Sequence, residues 1–135
     1  MPARDTEIVR AAPYFPVPNV AQIGAYYRDV LGFSCEYAAG EPPEFAIHSR
    51  GSSAIMFRRV ADPSLIAPNE KQGGTWDVFF WVTNVDELYR ELTQKGAAVV
   101  YVPVVQPYGM KEFAVRDPNG YVLGFGERWA QEGGV

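Results

Sequence analysis

The chain carries one histidine and one cysteine, and that inventory bounds its chemistry before any fold is considered. A catalytic thiol at Cys35 would have to take its base from His48, and no intrachain disulfide or cysteine-built zinc site can form. A two-histidine, one-carboxylate iron site is excluded within one chain, and a four-ligand zinc or nickel site would need several His, Glu or Gln side chains to converge. His48 titrates near neutral pH, and alternation sets it on the opposite side of its strand from Phe45 and Ile47, expected to be a concave, ligand-facing side. With no paired nucleophile or second imidazole, a strand histidine hydrogen-bonded to backbone is the plainer role. Asp77 precedes Val78-Phe79-Phe80-Trp81, and period two gives Asp77, Phe79 and Trp81 one shared face. A carboxylate among aromatics can receive a cationic ligand group. The alternative is a solvated carboxylate at the fraying start of a strand.

Aromatic residues make up 14% of the sequence, and their parity sorts them. Phe15, Phe57, Phe80 and Phe125 are expected to face the helices. Tyr14, Phe79 and Trp81 fall on the other side, joined by Met56 and by Tyr108 from the loop before the last hairpin. Stacking surfaces with a few polar tips suit a planar or sugar-bearing ligand, although the same residues can pack across a module seam or a subunit interface. Arg58 and Arg59 close one strand while Lys111 and Glu112 open another. Charges at strand ends are normally solvated, so these four are expected to grip no ligand.

The elements that position these residues occur twice. Asn19 and Asn84 can each cap a helix, the first placing Val20, Ile23 and Tyr27 at helical spacing and ending at Gly32, the second placing Val85, Leu88, Tyr89 and Leu92 on one face and ending at Gly96. Each helix follows a β-prone run and precedes another, around Ser34-Cys35-Glu36-Tyr37 and Ala98-Val99-Val100-Tyr101-Val102. Each half then ends in a hairpin, turning at Arg50-Gly51-Ser52-Ser53 and at Asp117-Pro118-Asn119-Gly120. The order strand, helix, three strands is therefore an internal repeat. Residues 61–74, rich in Pro, Gly and polar side chains, read as the linker between module one (about 8–60) and module two (about 75–128). A half of about 60 residues is marginal alone, so the two are expected to share one core as a single domain.

Twelve Lys+Arg against sixteen Asp+Glu give a net charge of −4, and neither sign forms a run, which argues against nucleic acid as a partner. The first residues lack the apolar region of a signal peptide and no apolar stretch approaches the roughly 18 residues of a membrane helix. A cytoplasmic protein that meets no membrane is expected.

Tyr26-Tyr27-Arg28-Asp29-Val30-Leu31-Gly32-Phe33 resembles the signature of the vicinal-oxygen-chelate superfamily, which includes glyoxalase I, fosfomycin- and bleomycin-resistance proteins, extradiol dioxygenases and methylmalonyl-CoA epimerase. Gly109-Met110-Lys111-Glu112-Phe113-Ala114-Val115-Arg116-Asp117-Pro118-Asn119-Gly120 is similar to the form in the bleomycin-resistance-like branch. The resemblance spans roughly residues 8–128. It implies an α+β fold of two tandem βαβββ modules whose curved mixed sheets surround a cleft, with helices outside. It also implies that the metal ligands of metal-dependent members would fall on Ala12, Met56, Asp77 and Gly124, of which only Asp77 offers a hard donor.

These readings point to a metal-free, cofactor-free small-molecule binding protein, with no catalytic residues, that sequesters its ligand in an aromatic-lined cleft as bleomycin-resistance proteins do. The expected ligand contacts are Tyr14, His48, Met56, Asp77, Phe79, Trp81 and Tyr108. A homodimer is expected, because curved sheets leave strand edges to cover. The competing reading is a metal-dependent lyase or isomerase of the glyoxalase I type, recruiting Asp77, His48 and Glu side chains. A stand-alone regulatory or interaction module is the third.

Overall fold

The repeat is built in the computed structural model, which describes residues 5–130. The first module runs β1 (Tyr14–Val17), α1 (Val20–Asp29), β2 (Ser34–Ala39), β3 (Phe45–Arg50) and β4 (Ser53–Arg59). The second runs β5 (Val78–Trp81), α2 (Val85–Gln94), β6 (Ala98–Val105), β7 (Met110–Arg116) and β8 (Val122–Arg128). Each module forms a mixed four-stranded sheet, ordered β1-β4-β3-β2 and β5-β8-β7-β6. In both, the first strand lies parallel to the last and the other pairs are antiparallel. The fold is α+β, and bulges in β2 and β6 bend the two sheets without closing a barrel.

Period two gives each sheet one buried and one open face. Phe15, Val17, Ala46, Ile55 and Phe57 of the first sheet and Phe80, Phe113, Val115, Leu123 and Phe125 of the second are at most 8% exposed. They join Val20, Ile23 and Tyr27 of α1 with Val85 and Leu92 of α2 in one hydrophobic cluster. The cluster crosses the module boundary. Phe15 stacks on Tyr121 with ring centroids 4.1 Å apart, and Phe33 meets Phe80 at 6.1 Å.

The two helix starts differ. Asn19 caps α1, its Oδ1 accepting from the Gln22 backbone N–H at 2.9 Å. Asn84 does not cap α2 as expected: its backbone is left-handed at φ 54° and its side chain makes no cap bond. The Val85 N–H donates instead to Glu127 Oε1 at 3.0 Å, so a carboxylate from β8 meets the positive end of the helix. The segment between the modules forms two short 3-10 turns, Pro63–Leu65 and Asn69–Gln72. Buried Ile66 and an ion pair from Glu70 to Arg116 fasten it to the body. No described helix is long and apolar enough to cross a membrane.

Candidate ligand-binding site

Two expected contacts prove to be engaged elsewhere. Asp77 is a backbone clamp: Oδ1 accepts from the Asn69 N–H and Oδ2 from the Val122 N–H, each at 2.8 Å. One carboxylate oxygen thus fixes the linker and the other fixes β8. His48 lies on the helix-facing side of β3, not the open side. It is 5% exposed, its ring 5.7 Å from that of Phe57, and its Nε2 sits 2.8 Å from where a Cβ on Gly24 would be. The alternation was as read, but Ala46 and His48 face α1 while Phe45 and Ile47 face out. Glycine at position 24 makes the room. The backbone hydrogen bond expected of His48 is also missing at Nδ1, which has no partner among the described residues. Burial first, and the nearby Arg28 cation second, lower its pKa.

The open face of the second sheet is where the chemistry gathers. Register aligns Trp81, Gly126, Glu112 and Val104 in one row across four strands, and Phe79, Gly124, Ala114 and Tyr101 in the next. The two glycines hollow the middle of this face, and large side chains fill the hollow. A Cβ on Gly124 would lie 2.6 Å from Trp76 Cδ1 and 2.7 Å from Phe79 Cδ2, and one on Gly126 would lie 2.6 Å from Phe79 Cζ. Trp76, Phe79 and Trp81 form a run of edge-to-face contacts at 4.7 and 5.2 Å. Trp81 is 76% exposed.

Glu112 sits on this face as well, and it corrects the expectation of a solvated strand-end charge: it is 1% exposed. Strand β7 begins at Met110, so Glu112 is already inside the ladder opposite Gly126. Tyr101 donates to Glu112 Oε2 and Tyr108 to Oε1, both at 2.5 Å, and Trp76 Nε1 donates to the Tyr101 hydroxyl at 2.9 Å. Burial, then the hydrogen bond to Glu112, raise the Tyr108 phenol to about 12 and push Tyr101 up as well. Both phenols therefore remain protonated donors near neutral pH. A cleft of about 480 Å³ opens here, lined by Trp76, Tyr101, Val102, Val104, Tyr108 and Glu112 among others. Residues 76, 101 and 112 were not among the expected contacts.

Tyr14 and Met56 lie elsewhere, on the open face of the first sheet, in a row with Ile47 and Tyr37. Tyr14 meets Phe45 edge-to-face at 6.0 Å and Arg58 lies 5.9 Å above its ring. A larger depression of about 880 Å³ follows the module seam beside α2. Its floor is Phe33, Phe80, Leu88 and Phe125, and its rim charges neutralise one another: Arg50 and Lys95 pair with Glu91, and Arg90 with Glu87. The 480 Å³ cleft differs in holding a buried carboxylate with no cationic partner in any ion pair of the described residues.

The sequence matches the family described as the Glyoxalase/Bleomycin resistance protein/Dioxygenase superfamily over residues 8–125. The chain belongs to that superfamily. No curated protein matches it by sequence. Solved structures of similar fold include TioX from Micromonospora sp. ML1, 23% identical with a TM-score of 0.73, covering 88% of this chain and 98% of that one. A glyoxalase-related enzyme from Clostridium phytofermentans is 13% identical with a TM-score of 0.72, over 93% and 99% of the chains. The bleomycin-binding protein from bleomycin-producing Streptomyces verticillus, solved with copper(II)-bleomycin, is 23% identical with a TM-score of 0.67, over 95% and 100%.

The positions where the superfamily resemblance would put metal ligands do not fit a metal here. Ala12 and Gly124 carry no donor, Met56 carries only a soft thioether, and Asp77 is held by two backbone N–H groups. The space at Gly124 that a ligating side chain would need is filled by the Trp76 indole. Among the described residues no three His, Cys, Asp or Glu side chains come together as a metal site.

Proposed function

We propose that this protein binds a small organic molecule on the open face of its second sheet and sequesters it without bond chemistry, as a resistance-type member of its superfamily. The carrying observation is the 480 Å³ cleft itself, whose aromatic walls converge on one buried polar cluster, the usual composition of a small-molecule site. The fold shared with bleomycin-binding proteins supports the reading, and the donor set described above speaks against the glyoxalase-type metal enzyme. The protein functions as a homodimer in this proposal. Tyr14 and Tyr37 on the first sheet and Trp81, Val102, Val104 and Tyr108 on or beside the second are 41% to 76% exposed, and in the dimer a second copy covers part of this surface.

Titrating a library of planar natural products and antibiotics while following tryptophan fluorescence tests the binding. A hit whose affinity drops in Tyr108→Ala, an exposed side chain that lines the cleft, while circular dichroism shows the variant folded, supports the site. Absence of any saturable hit across the library counts against it, and light scattering that returns the mass of one chain at micromolar concentration removes the dimer.

A further inference from the structure

Resting on the cleft reading above, we propose that the ligand is an organic cation whose positively charged N–H group seats on the Glu112 carboxylate while its flat body lies against Trp76 and Tyr108. Glu112 is 1% exposed, and a carboxylate taken out of water is costly unless a cation and hydrogen bonds compensate it. Hydrogen bonds are present, one to each oxygen, from Tyr101 and Tyr108. The cation is not. The neighbouring Lys111 faces the other side of the sheet, where its Nζ pairs with Asp86 at 2.9 Å and lies 4.4 Å from the centre of the Trp129 ring.

The remaining capacity of the carboxylate fits the same class of ligand. A carboxylate offers about four acceptor positions, and two phenols occupy two of them. An amidinium or guanidinium presents two parallel N–H donors that match both oxygens at once, and the π faces of Trp76 and Tyr108 attract a delocalised cation. Tyr108 is 60% exposed and rises from the turn at Gly109, so it stands at the mouth and its hydroxyl shares Oε1 with whatever enters. A neutral planar ligand would leave the buried charge uncompensated, and an anion would be repelled.

Benzamidine and its neutral isostere benzamide separate the possibilities, with tryptophan fluorescence as readout. The expected result is saturable quenching by benzamidine at a Kd roughly tenfold or more below that of benzamide, the effect of one charge-assisted hydrogen bond. In Glu112→Gln, with folding checked by circular dichroism, that preference is lost while benzamide binding stays. Tyr108→Phe keeps the ring and removes the competing donor, so benzamidine binds more tightly and benzamide as before; this variant decides the matter if Glu112→Gln does not fold. Equal affinities for the two probes in the wild type, a preference that survives Glu112→Gln, or unchanged or weaker benzamidine binding in Tyr108→Phe overturns the cation while leaving the cleft reading standing. Quenching by neither probe overturns the cation as well, and the cleft reading then stands or falls with the library titration.

Discussion

The Tyr27 hydroxyl donates to Asp117 Oδ2 at 2.7 Å across ninety positions of sequence, in a fully buried contact between α1 of the first module and the last hairpin turn of the second. Asp117 also accepts at Oδ1 from the Asn119 and Tyr121 N–H groups, so the side chain that shapes the Asp-Pro-Asn-Gly turn also fastens the modules. Burial pushes the Asp117 carboxyl up, against the hydrogen bonds that hold it down. Tyr27→Phe keeps the packing and leaves a buried carboxylate short of one donor. It is expected to cost about 1.5–3 kcal/mol, the range for a hydrogen bond to a charged group, read from urea unfolding monitored in both modules. A loss confined to signals of one module would show that the modules do not unfold together.

His48 gives the fold a pH dependence of known sign. Its pKa is lowered in the folded state by burial and then by Arg28, so the unfolded chain binds more protons below its ordinary value of about 6.5. Stability is therefore fully present above that value and lost as pH falls through the folded pKa beneath it. His48→Gln is expected to flatten this part of the profile. Urea midpoints of both proteins between neutrality and mildly acidic pH should converge as pH falls, and parallel curves would show that His48 does not titrate in this window.

Much of this architecture was readable because it rests on local rules. The doubled helix signals, the Asn-Gly hairpin and the sorting of Phe15, Phe57, Phe80 and Phe125 toward the core all follow from spacing. Glu112 was missed for a reason that is also physical. Its exposure was judged from its place near a strand end, whereas alternation against the core-facing Phe113 and Val115 already put it on the open face. The stronger sign was across the sheet: Gly124 and Gly126 alternate with Leu123 and Phe125, and small residues on one strand make room for large ones beside it. His48 failed on the same kind of ground, since the room its ring takes against α1 is left by Gly24, a residue on another element.

The capping difference between the helices tests how far the repeat is chemical as well as geometric. Asn19→Ala removes a side-chain acceptor from the Gln22 N–H and is expected to cost about 1 kcal/mol. Asn84→Gly removes no cap bond and places glycine at a φ of 54° that it adopts without strain, so its unfolding midpoint should stay at or above wild type. Glu127→Ala, which takes away the acceptor for the Val85 N–H, should behave like Asn19→Ala. A loss in Asn84→Gly equal to that in Asn19→Ala would restore asparagine as the cap of both helices.

Gly124 tests the packing that replaces a metal ligand with an indole. An added methyl would fall 2.6 Å from Trp76 Cδ1 and 2.7 Å from Phe79 Cδ2, closer than carbon atoms can approach, so Gly124→Ala has to displace one ring or both. Overpacking of this kind costs roughly 1–3 kcal/mol. Because Trp76 Nε1 donates to Tyr101 and Tyr101 to Glu112, the movement should reach the carboxylate, and tryptophan emission should shift with the stability loss. In a Gly124→Ala/Trp76→Phe double variant the smaller ring leaves space for the methyl. The two substitutions then couple, and the double variant is expected to be less destabilised than the sum of the single ones. Strict additivity would mean that the methyl does not meet the indole, and that Trp76 does not hold the hollow above Gly124.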